Sequence, residues 1–158
     1  MNLRIAKLTD RAALDAVFQR SYPSALASAY DADLLKVALP LMTKAQPALL
    51  TSGTYYVWEE AGALLGAGGW TIDRSDLKKG HIRHVVTDLS ALKQGIARRV
   101  IERSLCEARV AGLVRMECWS TRNAEGFYKR MGVERVEQFD VLLDGHVPFP
   151  SIRMMCIL

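Results

Sequence analysis

The sequence predicts an α/β fold in which one mixed β-sheet carries helices on its faces. Two observations carry that reading. Seven segments show strand-like alternation or β-branched and aromatic enrichment, among them LRIAKL, TYYVWEE and VERVEQFDVLL. Four other segments repeat apolar residues at helical spacing, and the two kinds interleave as β-α-α-β-β-β-α-β-α-β-β. At 158 residues a single domain over 1–158 is the default. A chain of that size buries roughly 68–70% of its unfolded surface, enough to fold without staples.

Each element has a local reason. LRIAKL alternates. TDRAALDAVFQRSY follows, with Thr9 or Asp10 as helix cap and Leu14, Val17 and Phe18 on one face. DADLLKVALPLMT is a second helix that Pro40 bends or ends. TYYVWEE and ALLGAGGWTI flank a turn at Glu60-Ala61-Gly62 and read as a hairpin. DRSDLKKG is a polar loop before the strand HIRHVVTD. A helix from about Gln94 to Ala111 buries Ile96, Val100, Ile101, Leu105 and Ala108. LVRMECWS is the next strand, parallel to HIRHVVTD because a helix joins them. Asn123 is expected to cap a short helix that Gly132 stops, and VERVEQFDVLL and SIRMMCIL are the last strands.

Composition removes several function classes. No apolar run approaches the roughly 20 residues of a membrane span. MNLRIAKLTD lacks the layout of a signal peptide. A cytoplasmic protein with no membrane partner is expected. The net charge of +4 suits an anionic ligand. Arg98, Arg99, Arg103 and Arg109 interleave with Glu102 and Glu107, so this is a solvated helix face and no nucleic-acid partner is expected. Cys106, Cys118 and Cys156 show neither CxxC pairing nor metal spacing with histidine. They read as buried free thiols, with no metal.

Gly95 stands where the long helix begins, although glycine costs about 1 kcal/mol relative to alanine inside a helix. A helix start exposes unpaired N–H groups and about half a positive charge. With no side chain at Gly95 and a small one at Ala97, those groups are open to an anion such as phosphate, and Lys93, Arg98 and Arg99 add charge at the mouth. The other reading of Gly95 is a plain strand-to-helix turn. A second helix, STRNAEGFYKRMGV, follows the neighbouring parallel strand, and the two strand ends make a crevice of the kind in which open α/β sheets bind ligands.

HIRHVVTD, the turn LKQGIA with its helix, and STRNAEGFYKRMGV together resemble the GNAT superfamily of acyl-coenzyme A-dependent N-acyltransferases. GAGGW and the closing PFPSIRMMCIL are also similar to its small members. The resemblance implies a central mixed sheet of about six or seven strands flanked by about four helices. It implies an acetyltransferase that moves an acetyl group from acetyl-CoA to a primary amine of a small molecule or peptide by direct attack, with a homodimer as an admissible assembly. The signature's leading Arg or Gln falls on Leu92, and Val133 stands for the usual Phe. A catalytically impaired acyl-CoA-binding regulatory module is therefore the alternative.

The resemblance assigns backbone groups of Val85 and Val86 to the pantetheine arm. It assigns Lys93, Gln94, Gly95, Ile96, Ala97 and Arg98 to the pyrophosphate, and Asn123 to a cofactor hydrogen bond. Tyr128 is the implied general acid for the leaving thiolate, or else a packing residue. An amine of pKa about 10.4 costs roughly 4.6 kcal/mol to deprotonate at neutrality, so a base is wanted. His84 is the first candidate, with a satisfied strand histidine as its other reading, and Glu117 is the second. His81 and His146 read as structural or exposed, and Asp88 as a residue that caps or orients the turn. Tyr22, Tyr30 and Trp70 line the acceptor pocket or belong to the core.

Overall fold

A computed structural model describes residues 2–158. Its seven strands are β1 (Leu3–Ile5), β2 (Tyr55–Glu60), β3 (Ala63–Ile72), β4 (Lys79–Thr87), β5 (Arg115–Ser120), β6 (Glu134–Leu143) and β7 (Val147–Ile157). They form one sheet in the order β1-β2-β3-β4-β5-β7-β6. Only β4 and β5 run parallel; every other neighbouring pair is antiparallel. The helices are α1 (Arg11–Leu26), α2 (Ala32–Met42), α3 (Pro47–Leu50), α4 (Ile96–Val110) and α5 (Glu125–Arg130). One more helix is present than the expected four, the single turn α3, which starts on Pro47 where the missing N–H costs nothing.

Strand alternation sorts the residues onto two faces. On one, Leu14, Val17 and Phe18 of α1 pack against Val57, Ala67 and Val86. On the other, Ile101 and Ala108 of α4 and Tyr128 of α5 pack against Trp70, Ile82, Met116 and Cys118. Helix α2 lies over the far end of the first face, where Leu35 and Ala38 meet Phe149 of β7. The chain from β4 through α4 to β5 is a parallel crossover, which places the starts of α4 and α5 at the same end of the sheet.

Several local expectations are corrected. Asp10 does not cap α1 with its side chain. Its carboxylate accepts the Lys7 N–H at 2.7 Å and two Arg4 N–H groups at 2.9 and 2.8 Å, fastening β1 to the helix start. Asn123 caps nothing: it is exposed in a 3-10 turn, Arg122–Ala124, ahead of α5. Pro40 does not end α2, which runs on to Met42. Cys118 is buried, but Cys106 is exposed on the outer face of α4 and Cys156 is half-buried near the end of β7.

The GAGG run of β3 sets how closely α4 and β2 approach. Gly66 lies under Ile96 and Gly68 under Val100. At Gly69 an added Cβ would strike backbone, the Thr54 carbonyl and Tyr55 Cα at 2.6 Å, neither of which can swing aside. Gly69→Ala is therefore expected to lower the unfolding free energy by about 3 kcal/mol, the upper end of overpacking costs, as measured by denaturant unfolding. A loss within 0.5 kcal/mol would contradict this packing.

Candidate active site

The site begins at an extra residue in β4. Ala67 of β3 faces Val86 and Gly69 faces Arg83, so Gly68 alone stands opposite both His84 and Val85. This two-against-one mismatch is a β-bulge, and His84 adopts φ +47 to make it. The parallel ladder with β5 ends just before it: the last rung is His81–Glu117, and no β4–β5 pairing follows. Beyond that rung the two strands part.

Register decides which β4 groups face the opening. Asp88 N–H donates to Leu65 O at 2.8 Å, so Asp88 and Val86 spend their backbone groups on β3. Thr87, and Val85 with the N–H that remains to it, therefore turn toward the gap. This corrects the expectation for Val86 and brings in Thr87, whose role no side-chain motif signals. The carbonyls of the bulge are taken by phenols: Tyr55 Oη donates to His84 O at 2.7 Å and Tyr22 Oη to Val85 O at 2.9 Å.

At the wide end of the gap stands the N-terminus of α4. Asp88 holds the approach by accepting the Ser90 N–H and pairing with Arg20. Burial alone would raise its carboxyl pKa, but those donors outweigh it and hold it low. Lys93 and Gly95 then both take left-handed conformations, φ +61 and +80. A Cβ at Gly95 would meet nothing within 4 Å. Among the described residues no protein group accepts the N–H of Gly95, Ile96, Ala97 or Arg98. Gln94 and Lys93 are exposed, and the Arg98 side chain is engaged by Glu102 at 2.8 Å. The first turn thus offers a row of open amides.

On the α5 side of the sheet, Tyr128 is buried against Cys118. Burial and the neighbouring thiol and Tyr22 phenol push the Tyr128 hydroxyl well above its ordinary value, so it remains a proton donor across the working range. The Cys118 thiol is pushed up to about 12, chiefly by burial, and stays neutral.

The opposite face of the last rung carries charge. His81 is buried at 7% exposure, with Nε2 at 2.6 Å from Asp73 Oδ2 and Nδ1 at 3.1 Å from Glu117 Oε2. Glu117, 4% exposed, also accepts from Trp119 Nε1 at 3.1 Å and Arg153 at 3.3 Å. Lys79 stands 3.5 Å from Asp73. His81 is thus built into the site, although its place in the strand reads as structural or exposed; no motif points to it, and only the rung opposite Glu117 does. His146 is exposed, as read.

Three named residues lie elsewhere. His84 stacks on Phe18 at 3.9 Å and donates Nε2–H to Met42 O at 3.0 Å; its Nδ1 is buried without a partner, and burial lowers its pKa. The bulge turns this ring under α1, between Phe18 and Tyr22. Trp70 is core beneath α4, donating to Tyr56 Oη at 3.1 Å. Tyr30 is core beneath α2, stacked on Phe149 and hydrogen-bonded to Pro150 O and the Arg122 N–H. Tyr22 is the one acceptor candidate that reaches the gap, through its bond to Val85.

A mixed sheet whose one parallel pair splays beside an open helix N-terminus is the architecture of the acyl-coenzyme A-dependent acetyltransferases. The sequence profile described as "Acetyltransferase (GNAT) domain" matches residues 32–144, and the chain belongs to that family. Solved structures share the fold. A GCN5-related N-acetyltransferase from Rhodopseudomonas palustris is 18% identical, with 99% of this chain and 94% of that one covered at a TM-score of 0.81. PaiA N-acetyltransferase from Thermoplasma acidophilum, in complex with coenzyme A, is 11% identical, with 99% and 98% covered at 0.71. The putative acetyltransferase yncA from Salmonella typhimurium, with acetyl-CoA, is 20% identical, with 100% and 94% covered at 0.66. Among curated proteins none matches this chain.

Asp73 supplies a pH test of the charged cluster. The hydrogen bond from His81, then those from Ser75, hold its carboxyl well below the usual range. A depressed folded pKa contributes stability above the unfolded value of about 3.9 and loses it as pH falls below. Asp73→Asn is expected to melt lower than wild type near pH 7, with the difference shrinking toward pH 3. An equal difference at both pH values would refute the bridge.

Proposed function

We propose that this single domain is an N-acetyltransferase that moves an acetyl group from acetyl-CoA to a primary amine by direct attack. The observation that carries the reading is the parting of β4 and β5 after His81–Glu117, with open amides at one end and Tyr128 beside the other. The residues present fit the donor. The amides of Gly95, Ile96, Ala97 and Arg98 suit a diphosphate, and Lys93 and Gln94 border it. Backbone groups of Val85 and Thr87 suit the amides of a pantetheine arm. Asn123, exposed beside α5, is within the same end of the sheet and is retained as a weaker contact. No metal takes part in this reading.

Proton traffic divides between the two faces. The Glu117–His81 pair takes the proton that the acceptor ammonium must shed; with that proton, both ring nitrogens of His81 can donate, one to each carboxylate. The freed nitrogen forms its bond to the acetyl carbon as the carbon–sulfur bond breaks. Tyr128 gives its proton to the departing thiolate and recovers one from the nitrogen. His84, the first-named base, has no part in this scheme.

Tyr128→Phe is expected to bind acetyl-CoA normally by calorimetry and to release thiol about 100-fold more slowly, the lower range for a lost general acid. Unchanged turnover would remove Tyr128 from that role. Gly95→Asp is expected to abolish acetyl-CoA binding by placing a carboxylate among the amides, while staying folded with a modestly lower melting temperature because φ +80 strains any side-chain-bearing residue; retained affinity would place the phosphates elsewhere. Cofactor binding with no thiol release across a broad amine panel would favour a binding module over an enzyme.

A further inference from the structure

On the face that carries His81 and Glu117, Lys79, Arg115 and Arg153 each pair with a carboxylate, whereas Arg83 forms no salt bridge among the described residues. Lys79 pairs with Asp73 at 3.5 Å and lies 4.0 Å from Glu117. Arg153 pairs with Glu117 and Glu137, both at 3.3 Å. His81 lies between Asp73 and Glu117. Arg83 Nε donates to Thr71 Oγ1 at 2.9 Å, and among the described residues its terminal N–H groups have no protein acceptor.

Arg83 is nonetheless partly withdrawn from water: burial lowers its pKa against the opposing charges of Asp73 and Glu117, neither of which comes within salt-bridge distance of it. A partly desolvated guanidinium with no carboxylate in direct contact is incompletely compensated, and a ligand anion would complete it. Its anchoring by Thr71 leaves the planar fork free, the geometry that matches a carboxylate through two parallel hydrogen bonds. Its neighbour is the Trp119 indole, 44% exposed, with the guanidinium carbon 6.0 Å from the ring centroid. His81 meets the same indole edge-on at 5.7 Å. One aromatic surface therefore lies between the proposed proton acceptor and the unpaired guanidinium. Asp73, Glu117 and Glu137 each already pair with a local cation, so among the described residues this face carries no surplus of acidic side chains of the kind a polyamine or a basic tail would need.

We infer that Arg83 binds a carboxylate on the acceptor, so that the acceptor class is an amino acid or a similar small amine bearing a carboxylate, seated over Trp119 with its nitrogen toward Glu117 and His81. The inference rests on the acetyltransferase reading and specifies its second substrate.

The test uses the protein saturated with coenzyme A and a series of L-amino acids, each paired with its carboxamide. Binding is read by calorimetry, and thiol release from acetyl-CoA in parallel. At least one amino acid should bind ten times or more tighter than its amide. Arg83→Gln should erase that preference without changing coenzyme A affinity, Arg83→Lys should restore part of it, and Thr71→Val should weaken it several-fold by freeing the guanidinium. Equal binding of acid and amide, no binding by either series, or a preference that survives Arg83→Gln overturns the inference while leaving the acetyltransferase reading in place. Failure of wild type to bind coenzyme A overturns both.

Discussion

The additional residue that β4 carries opposite Gly68 is the constraint from which the site follows. A bulge bends its strand and increases local twist. Here it comes one turn of the ladder after His81–Glu117, where β4 leaves β5. The cost is two carbonyls withdrawn from the sheet and a histidine in the left-handed region. Tyr22 and Tyr55 offset the first by donating to Val85 and His84. Phe18 and Met42 hold the second by stacking and by accepting Nε2–H. The opening is thus buttressed by α1 from one side, leaving Val85 and Thr87 to present backbone to whatever enters.

Because the sheet is two-faced at this opening, donor and acceptor chemistry are segregated. Cys118 and Tyr128 share the face covered by α4 and α5, where burial keeps thiol and phenol protonated. Glu117 and Trp119, the alternate residues of the same strand, point the other way, into the charged cluster. In the proposed reaction, this six-residue strand borders the leaving group with one face and the incoming nucleophile with the other. The separation is a consequence of the period-two geometry of a strand and needs no loop to maintain it. A carboxylate-bearing acceptor would lie wholly on the second face.

Much of the architecture was legible in the residues because it depends on local preference and periodicity. The strand and helix order, the parallel pair and the glycine at the start of α4 are all visible in short windows, and the GNAT resemblance rests on those windows. Gly95 was legible for a further reason: φ +80 is a conformation that other residues rarely adopt, so the requirement is written in the residue itself. The small turn α3, the 3-10 turn that displaces Asn123 from a cap, and the exposure of Cys106 were not visible, since each is settled by packing.

What the sequence by itself determined is the succession of elements and the glycine that opens the first turn of α4, since propensity, spacing and glycine stereochemistry act over a few residues. Tertiary structure alone decided where each histidine of β4 sits. His81 and His84 are three apart in one strand, yet the bulge sends His84 beneath Phe18 while the parallel rung sets His81 against Glu117. It alone removed Tyr30 and Trp70 to the core and left Arg83 without a counter-ion, because ion pairing and burial are settled among strands distant in the chain.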